Sequence, residues 1–232
     1  MTANKILLKE HRYFDSEHAK KIYEERLNDG RPKHISPNST LIACMGNHWK
    51  GNSYERVKAM ADFAWKEGYL VTMYEEHDCC YRPYDALGVM RNSAYAKSIL
   101  EGFEYILYCD NDVQPKPDAL VKLLRDMVPI VSPVISYADG QAHGMTMPLL
   151  PRNQGILMVT SCVLSFLLFK TAVFLPFSHI PFWQDAIGAD EEYHFRRLAM
   201  LGHYPFVDTN VEVVCLDPPH FPLDDKMLDK ID

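Results

Sequence analysis

The stretch Tyr105-Ile106-Leu107-Tyr108-Cys109-Asp110-Asn111-Asp112 has the composition of a buried strand that ends in two carboxylates. Residues i and i+2 of an extended chain point to the same side, so Asp110 and Asp112 should face one small volume past the strand end. Two anions there repel each other unless a cation lies between them. The stretch predicts either a site for Mg²⁺ or Mn²⁺ with a phosphorylated substrate, or an Asp-Asn-Asp turn whose acids face solvent.

Helical and strand patterns alternate on both sides of this stretch. Predicted in chain order are a strand at 41–45, a helix at 54–67, a strand at 69–74, helices at 84–101 and 117–127, and a strand at 130–135. Strands that alternate with helices of this length imply right-handed βαβ crossovers, and hence an α/β fold with a mostly parallel sheet flanked by helices. Ligands of such sheets bind outside the carboxyl ends of the strands, where the loops 46–53, 75–78 and 110–112 would meet.

The chain after residue 140 has a less regular pattern. We predict a loop over the site at 145–153, one or two buried strands within 156–174, a helix at 190–201 and a last strand at 211–216. The chain then divides into a polar, partly helical extension at 1–39, with a helix at 15–27, a single domain at 40–220 and a tail at 221–232.

Composition places the chain among single-domain globular proteins. It has 232 residues, of which 47% are hydrophobic and 24% charged, as is typical of a soluble protein with one core. The formal net charge of −7 argues against a nucleic-acid partner or an anionic membrane surface. The six cysteines include no Cys-x-x-Cys motif. The longest apolar run, 156–169, is too short to span a bilayer comfortably. We therefore expect a cytoplasmic protein with reduced thiols, no signal peptide and no transmembrane segment.

Several motifs, in this order, resemble those of GT-A fold glycosyltransferases, and the resemblance covers residues 40–220. The donor-binding half of these enzymes has an Arg-Asn helix, an apolar strand with an Asp-x-Asp motif and a proline-led helix, which here are Val89-Met90-Arg91-Asn92-Ser93-Ala94, 105–112 and 117–124. The segment 188–202 resembles the Glu-Asp acceptor-side motif of the large inverting family that includes cellulose and chitin synthases. Two features differ: the acidic pair is reversed to Asp190-Glu191, and Glu75-Glu76-His77-Asp78 stands where the family has an Asp-rich uracil-binding loop.

The resemblance implies a metal-dependent glycosyltransferase with one Rossmann-like GT-A domain. Such an enzyme moves a sugar from a nucleoside diphosphate sugar, here a UDP- or GDP-sugar, to a hydroxyl acceptor, and this family inverts the anomeric configuration. Residues 40–139 would bind the nucleotide sugar, and residues 140–220 would carry the acceptor and catalytic groups. Mn²⁺ or Mg²⁺ would neutralise the charge that develops on the diphosphate leaving group.

The resemblance also assigns roles to individual residues. Asp110, Asp112 and His220 would bind the metal, and an imidazole ligand would favour Mn²⁺ over Mg²⁺. Glu191 would be the general base, and Asp190 would support the acceptor or the metal region. Contacts with the donor nucleotide would come from Ala43, Cys44, Met45, Glu75, Arg91, Asp110 and Asn111.

Structural alternatives to these roles stay open. Arg91 could form a helix-surface ion pair with Glu101 or Asp85, and His220 could be a surface histidine after a proline turn. The two acids at 190 and 191 could simply begin a helix, where the macrodipole favours them.

Two other functions also stay open. A sugar nucleotidyltransferase of related fold would need a glycine-rich loop with basic residues aimed at a triphosphate, and the loop 46–51 offers one lysine. A non-catalytic nucleotide- or glycan-binding module would have the fold without turnover, although the four acids at 110, 112, 190 and 191 argue against it. The extension at 1–39 could dock a partner or a second copy of the chain.

Overall fold

The computed structural model describes residues 36–46, 49–76, 83–137, 152–174 and 190–216. The strands are β1 (Ser36–Met45), β2 (Leu70–Glu76), β3 (Phe103–Asp110), β4 (Val113–Gln114), β5 (Ile130–Tyr137), β6 (Ile156–Met158), β7 (Phe166–Lys170) and β8 (Phe206–Cys215). The helices are α1 (Ser53–Lys66), α2 (Pro83–Glu101), α3 (Ala119–Arg125) and α4 (Asp190–Met200), and a 3₁₀ helix spans Thr171–Phe174. Among these described helices, none combines the length and apolar character needed to cross a membrane. The predicted helix at 15–27 and most of the predicted loop at 145–153 lie outside the described residues.

One sheet joins the strands in the order β2-β1-β3-β7-β5-β8-β4, and β6 also pairs with β8. β1 is parallel to β2 and β3, β5 is parallel to β8, and β7 runs antiparallel between β3 and β5. The five strands β1, β2, β3, β5 and β8 therefore run in one direction. The predicted α/β fold, with a mostly parallel sheet flanked by helices, is confirmed.

The side chains of β3 explain why its sequence is apolar without alternation. Ile106 and Tyr108 are fully buried in a cluster with residues of α2 and α4, whereas Leu107 and Cys109 are fully buried in a cluster with residues of α1 and α3. A strand covered by helices on both faces needs apolar residues at every position. The apolar run ends at Asp110, which therefore lies where the strand leaves the core.

Four details of the sheet differ from the sequence prediction. β8 begins at Phe206 rather than at residue 211, because its first residues already pair with β5. β1 begins at Ser36 rather than at residue 41, because its first residues already pair with β3 across an irregularity. β4 has two residues, which is too short for a periodic pattern to reveal it. The segment predicted to hold buried strands contains β7, which is buried, but also β6, an exposed strand at the edge of the described sheet in which Met158 is 65% exposed.

Candidate active site

The carboxyl ends of several strands meet at the Asp110-Asn111-Asp112 turn. Met45, the last residue of β1, pairs with Asp110 of β3 on one side and with Glu76 of β2 on the other. Cys215, the last residue of β8, pairs with Val113 directly after the turn. The strand ends that the sequence predicted to form a ligand site are thus adjacent in the sheet.

Asp110 is fixed by contacts from two elements. Its backbone N–H donates to the carbonyl of Ser165 at 2.8 Å, and the Ser165 side chain hydrogen-bonds its carboxylate. Arg91 of α2 places Nη2 at 3.8 Å from Asp110 Oδ1, and the Arg91 carbonyl accepts a hydrogen bond from the Tyr108 hydroxyl at 3.1 Å. Arg91 is only 4% exposed, so the predicted alternative of a helix-surface ion pair with Glu101 or Asp85 is wrong. Glu101 pairs with Lys97 instead, and the side chain of Asp85 lies outside the described residues.

Asn111 is held against the end of β1. Its carbonyl accepts a hydrogen bond from the backbone N–H of Lys50 at 3.0 Å. Its side chain packs on Gly46, where an added Cβ would lie 2.7 Å from Asn111 Nδ2. Gly46 also has φ +107°, a backbone conformation that L side chains rarely adopt. Only glycine fits this position without strain, for both reasons.

Asp112 is held by the end of β8. Its carbonyl accepts a hydrogen bond from the backbone N–H of Leu216 at 2.9 Å. Its carboxylate Oδ2 accepts one from the Cys215 thiol, with a sulfur-to-oxygen distance of 3.2 Å. The three residues of the turn are therefore fixed by different parts of the fold, so the separation of the two carboxylates is set by tertiary structure.

The electrostatics of the pair fit a cation. Burial raises the pKa of Asp110, the nearby Asp112 raises it further, and the Arg91 guanidinium opposes this rise. Among the described residues, Asp110 Oδ1 and Asp112 Oδ1 are buried without a hydrogen-bond partner, as is Arg91 Nε. Buried polar atoms in native proteins normally have a hydrogen-bond partner, so two carboxylate oxygens at one strand end that have none among the described residues fit a cation bound between them.

The described residues supply only part of a metal site. No group of three His, Cys, Asp or Glu side chains within them lies close enough to bind an ion. The predicted third ligand, His220, lies outside the described residues. Two carboxylates with further positions left to phosphate and water are nevertheless a donor set that suits Mg²⁺ or Mn²⁺.

The predicted nucleotide contacts occupy two different environments. Ala43, Cys44 and Met45 are at most 1% exposed, and β1 pairs with neighbouring strands on both sides at these positions. Their side chains fill the core, and burial together with the nearby Glu75 raises the pKa of Cys44 to about 12. Glu75, near the end of β2, is exposed and accepts a hydrogen bond from Tyr54, which raises the pKa of that tyrosine.

Sequence reasoning missed four side chains near this strand end. Trp49 and Tyr54 form an edge-to-face pair with ring centroids 5.3 Å apart, in the loop after β1 and the first turn of α1. Ser165 and Cys215 contact the carboxylates of Asp110 and Asp112. Trp49 and Tyr54 follow a strand that ends in a glycine turn, and this position could have predicted them. Ser165 and Cys215 are distant in sequence from Asp110 and Asp112, and no local pattern identifies them.

The acidic pair on the acceptor side begins a helix, as predicted. Asp190 and Glu191 are the first two residues of α4, which packs through Phe195 and Leu198 into the core cluster that also contains Ile106 and Tyr108. The side chains of residues 190–194 are outside the described part, so the roles of Asp190 and Glu191 stay predictions.

Solved structures share this architecture. "A197 from STIV" has a TM-score of 0.51 at 14% identity, with 78% of this chain and 86% of that chain covered. GalNAc-T7, solved with UDP, GalNAc and Mn²⁺, has a TM-score of 0.51 at 11% identity, with 78% of this chain and 44% of that chain covered. A glycosyltransferase involved in the glycosylation of the major capsid of PBCV-1 has a TM-score of 0.39 at 16% identity, with 62% and 65% covered. No protein-family model and no curated protein matches the sequence. At these identities the first two likenesses show a common fold, and the GT-A-like architecture is the one predicted.

Proposed function

We propose that this chain is a GT-A fold glycosyltransferase that transfers a sugar from a nucleoside diphosphate sugar to a hydroxyl acceptor, with Mn²⁺ or Mg²⁺ bound at Asp110 and Asp112. The observation that carries this proposal is the pair of carboxylates at the carboxyl end of β3, each with a buried oxygen that lacks a hydrogen-bond partner among the described residues. GalNAc-T7, which shares the fold, was solved with UDP, GalNAc and Mn²⁺, and this supports the same classes of donor and metal here.

The chemistry of the leaving group explains why this arrangement suits glycosyl transfer. A bound divalent cation would neutralise the negative charge that builds up on the departing nucleoside diphosphate. Arg91 adds a buried positive charge beside Asp110, where it can act on the diphosphate. Asn111 keeps the turn against β1, so the two carboxylates stay in place when substrate binds.

The nucleoside would bind at the ends of β1 and β2. The Glu75 carboxylate can accept hydrogen bonds from N–H groups of the nucleotide base. The hydrogen bond from Tyr54 orients this carboxylate. Trp49 and Tyr54 provide aromatic surface beside it, on which a base or ribose can pack. UDP and GDP are both candidates for the nucleotide.

The acceptor half, residues 140–220, would supply the general base of the reaction. Glu191 at the start of α4 would take the proton from the acceptor hydroxyl as that oxygen attacks the anomeric carbon, which gives inversion of configuration. Asp190 would orient the acceptor, and His220 would complete the metal ligands.

A thermal-shift screen of UDP and GDP tests the proposal, because a ligand that binds only the folded state raises its stability. One diphosphate should raise the melting temperature of the wild type with Mn²⁺ and fail to do so with EDTA. Asp112→Asn should abolish the shift, whereas Asp62→Asn, which changes an exposed acid on α1, should keep it. Equal shifts with Mn²⁺ and with EDTA would contradict a metal-dependent donor site.

A further inference from the structure

The Glu75 carboxylate is held in a definite direction beside the end of β1. Glu75 pairs with Cys44 in the register of β1 and β2, so the two side chains point to the same face of the sheet. On that face Tyr54, in the first turn of α1, donates a hydrogen bond to the carboxylate. Glu75 is exposed, so it can meet a ligand that lies over the strand ends.

The sheet sets the distance from Glu75 to the proposed metal site. Cys44 pairs with Glu75 on one side and with Cys109 on the other, and Asp110 follows Cys109. Two strand spacings of about 4.8 Å place the backbones of Glu75 and Cys109 roughly 10 Å apart. A ribose separates the base of a nucleoside diphosphate from its phosphates, so a diphosphate at Asp110 and Asp112 would bring the base towards Glu75. This placement of the base rests on the proposed function.

The common nucleotide bases differ in how their hydrogen-bonding edges meet a carboxylate. Guanine presents two neighbouring N–H donors, at N1 and N2, which match the two carboxylate oxygens. Uracil presents a single N–H between two carbonyl oxygens, and adenine and cytosine present a ring-nitrogen acceptor beside their amino group. In these three bases an acceptor would face a carboxylate oxygen and stay unpaired, and a polar site rejects such a ligand strongly.

The aromatic pair beside Glu75 favours the same base. Trp49 and Tyr54 lie edge to face, with ring centroids 5.3 Å apart. Bases stack on aromatic side chains through their π-faces, and the apolar contact grows with the area that is covered. A purine has two fused rings whereas uracil has one, so stacking here also favours guanine over uracil.

We propose that Glu75 selects guanine, so that the sugar donor of this chain is a GDP-sugar. The two oxygens of Glu75 would accept the N–H donors at N1 and N2 of the base, while the Tyr54 hydroxyl keeps the carboxylate in place. A carboxylate has about four acceptor positions, so the bond from Tyr54 leaves enough for both N–H groups. Glu75 is thus a specificity-determining residue of the proposed reaction.

Calorimetric titration with GDP, UDP and inosine diphosphate in the presence of Mn²⁺ tests the proposal on the wild type. Inosine diphosphate differs from GDP only in lacking the N2 amino group. Because a hydrogen bond to a charged group is lost, it should bind roughly 10- to 100-fold more weakly than GDP. UDP should also bind more weakly than GDP.

Glu75→Gln should shift the preference towards uracil. An amide offers one acceptor and one donor, which match the N3–H and the neighbouring carbonyl of uracil but oppose one N–H of guanine. GDP should therefore bind this variant more weakly and UDP more tightly than they bind the wild type, and GDP should lose its advantage over inosine diphosphate. Glu55→Gln is a matched control, because it changes an exposed acid in the first turn of α1 and should keep the wild-type order.

Two results would overturn the proposal: a wild type that binds UDP or inosine diphosphate as tightly as GDP, or a GDP-to-UDP affinity ratio that is the same in Glu75→Gln. The comparison of GDP with inosine diphosphate needs no variant, so it stands even if Glu75→Gln folds poorly. Mn²⁺-dependent binding of UDP in preference to GDP would contradict the guanine selection alone. Binding of none of the diphosphates would contradict the proposed function as well.

Discussion

Replacing Gly46 by alanine tests how the end of β1 positions the Asp110-Asn111-Asp112 turn. An alanine Cβ at this position would lie 2.7 Å from Asn111 Nδ2 and 3.0 Å from Asn111 Cγ, at φ +107°. Gly68 is a matched control, because it has φ +90° and nothing within 4 Å of an added Cβ. It also lies at the opposite end of the sheet, just before β2 begins.

The two substitutions share one cost and differ in another. A non-glycine residue in this backbone region costs roughly 1–3 kcal/mol, and both variants should lose that much unfolding free energy. Gly46→Ala also overlaps Asn111, and an overpacked contact costs typically about 1–3 kcal/mol more. Gly46→Ala should therefore be the less stable variant, and the added shift of Asn111 should weaken Mn²⁺ binding at the neighbouring carboxylates.

Urea denaturation measures the first effect, and a Mn²⁺ titration measures the second. The double variant Gly46→Ala/Asn111→Ala removes the two atoms of closest overlap, so it should regain part of the stability that Gly46→Ala loses. Equal unfolding free energies for Gly46→Ala and Gly68→Ala, with equal Mn²⁺ affinities, would refute the reasoning.

Three further predictions concern other parts of the chain. Arg91→Met should weaken nucleoside diphosphate binding more than Arg91→Lys does, because it removes the buried cation 3.8 Å from Asp110; calorimetry would show this, and equal affinities would contradict it. Burial, with a smaller effect of Asp208, raises the pKa of Asp126 from 3.8 to about 7. A carboxyl whose pKa is higher in the folded state favours folding when protonated, so this contribution to stability is fully present below about pH 3.8 and is lost as the pH rises from there to about 7. Asp126→Asn should remove this dependence of the unfolding free energy on pH, which urea denaturation at several pH values measures. The same pH dependence in wild type and variant would contradict this role of Asp126. Glu191→Gln should lower turnover by about 10²- to 10⁴-fold, whereas nucleotide binding should be unchanged. Asp190→Asn should lower turnover by a smaller factor. Retention of the donor's anomeric configuration, seen by proton NMR of the first product, would refute an inverting role for Glu191.

The parts of the fold that follow from local pattern could be predicted from the sequence. β3 is apolar at every position because helices cover both of its faces, and this also places Asp110 at the strand end. All four helices of the described residues begin and end within two residues of their predicted bounds, because each has a recognisable helical pattern. β6 could not be recognised as exposed, since an apolar run does not reveal whether the strand lies at an edge.

The contacts of the candidate site could be predicted less well. Asp110 and Asp112 belong to one short segment with a recognisable pattern, but Cys215 contacts Asp112 from 103 residues away. The register of β8 against β4 creates that contact, and no feature of either segment alone specifies it. The overlap of Gly46 with Asn111 has the same origin, in the pairing of β1 with β3.

In the proposed reaction, the carboxyl end of β3 would hold a metal-bound nucleotide sugar, from which the nucleoside diphosphate would be released. The most direct measurement is mass spectrometry of UDP- and GDP-sugars incubated with the wild type and with Asp112→Asn, with Mn²⁺ or with EDTA. We predict that the wild type with Mn²⁺ releases the nucleoside diphosphate from one of these donors, to water or an added hydroxyl acceptor, and that EDTA or Asp112→Asn abolishes the release. Release from neither donor, or release that continues unchanged in Asp112→Asn, would contradict the proposed function.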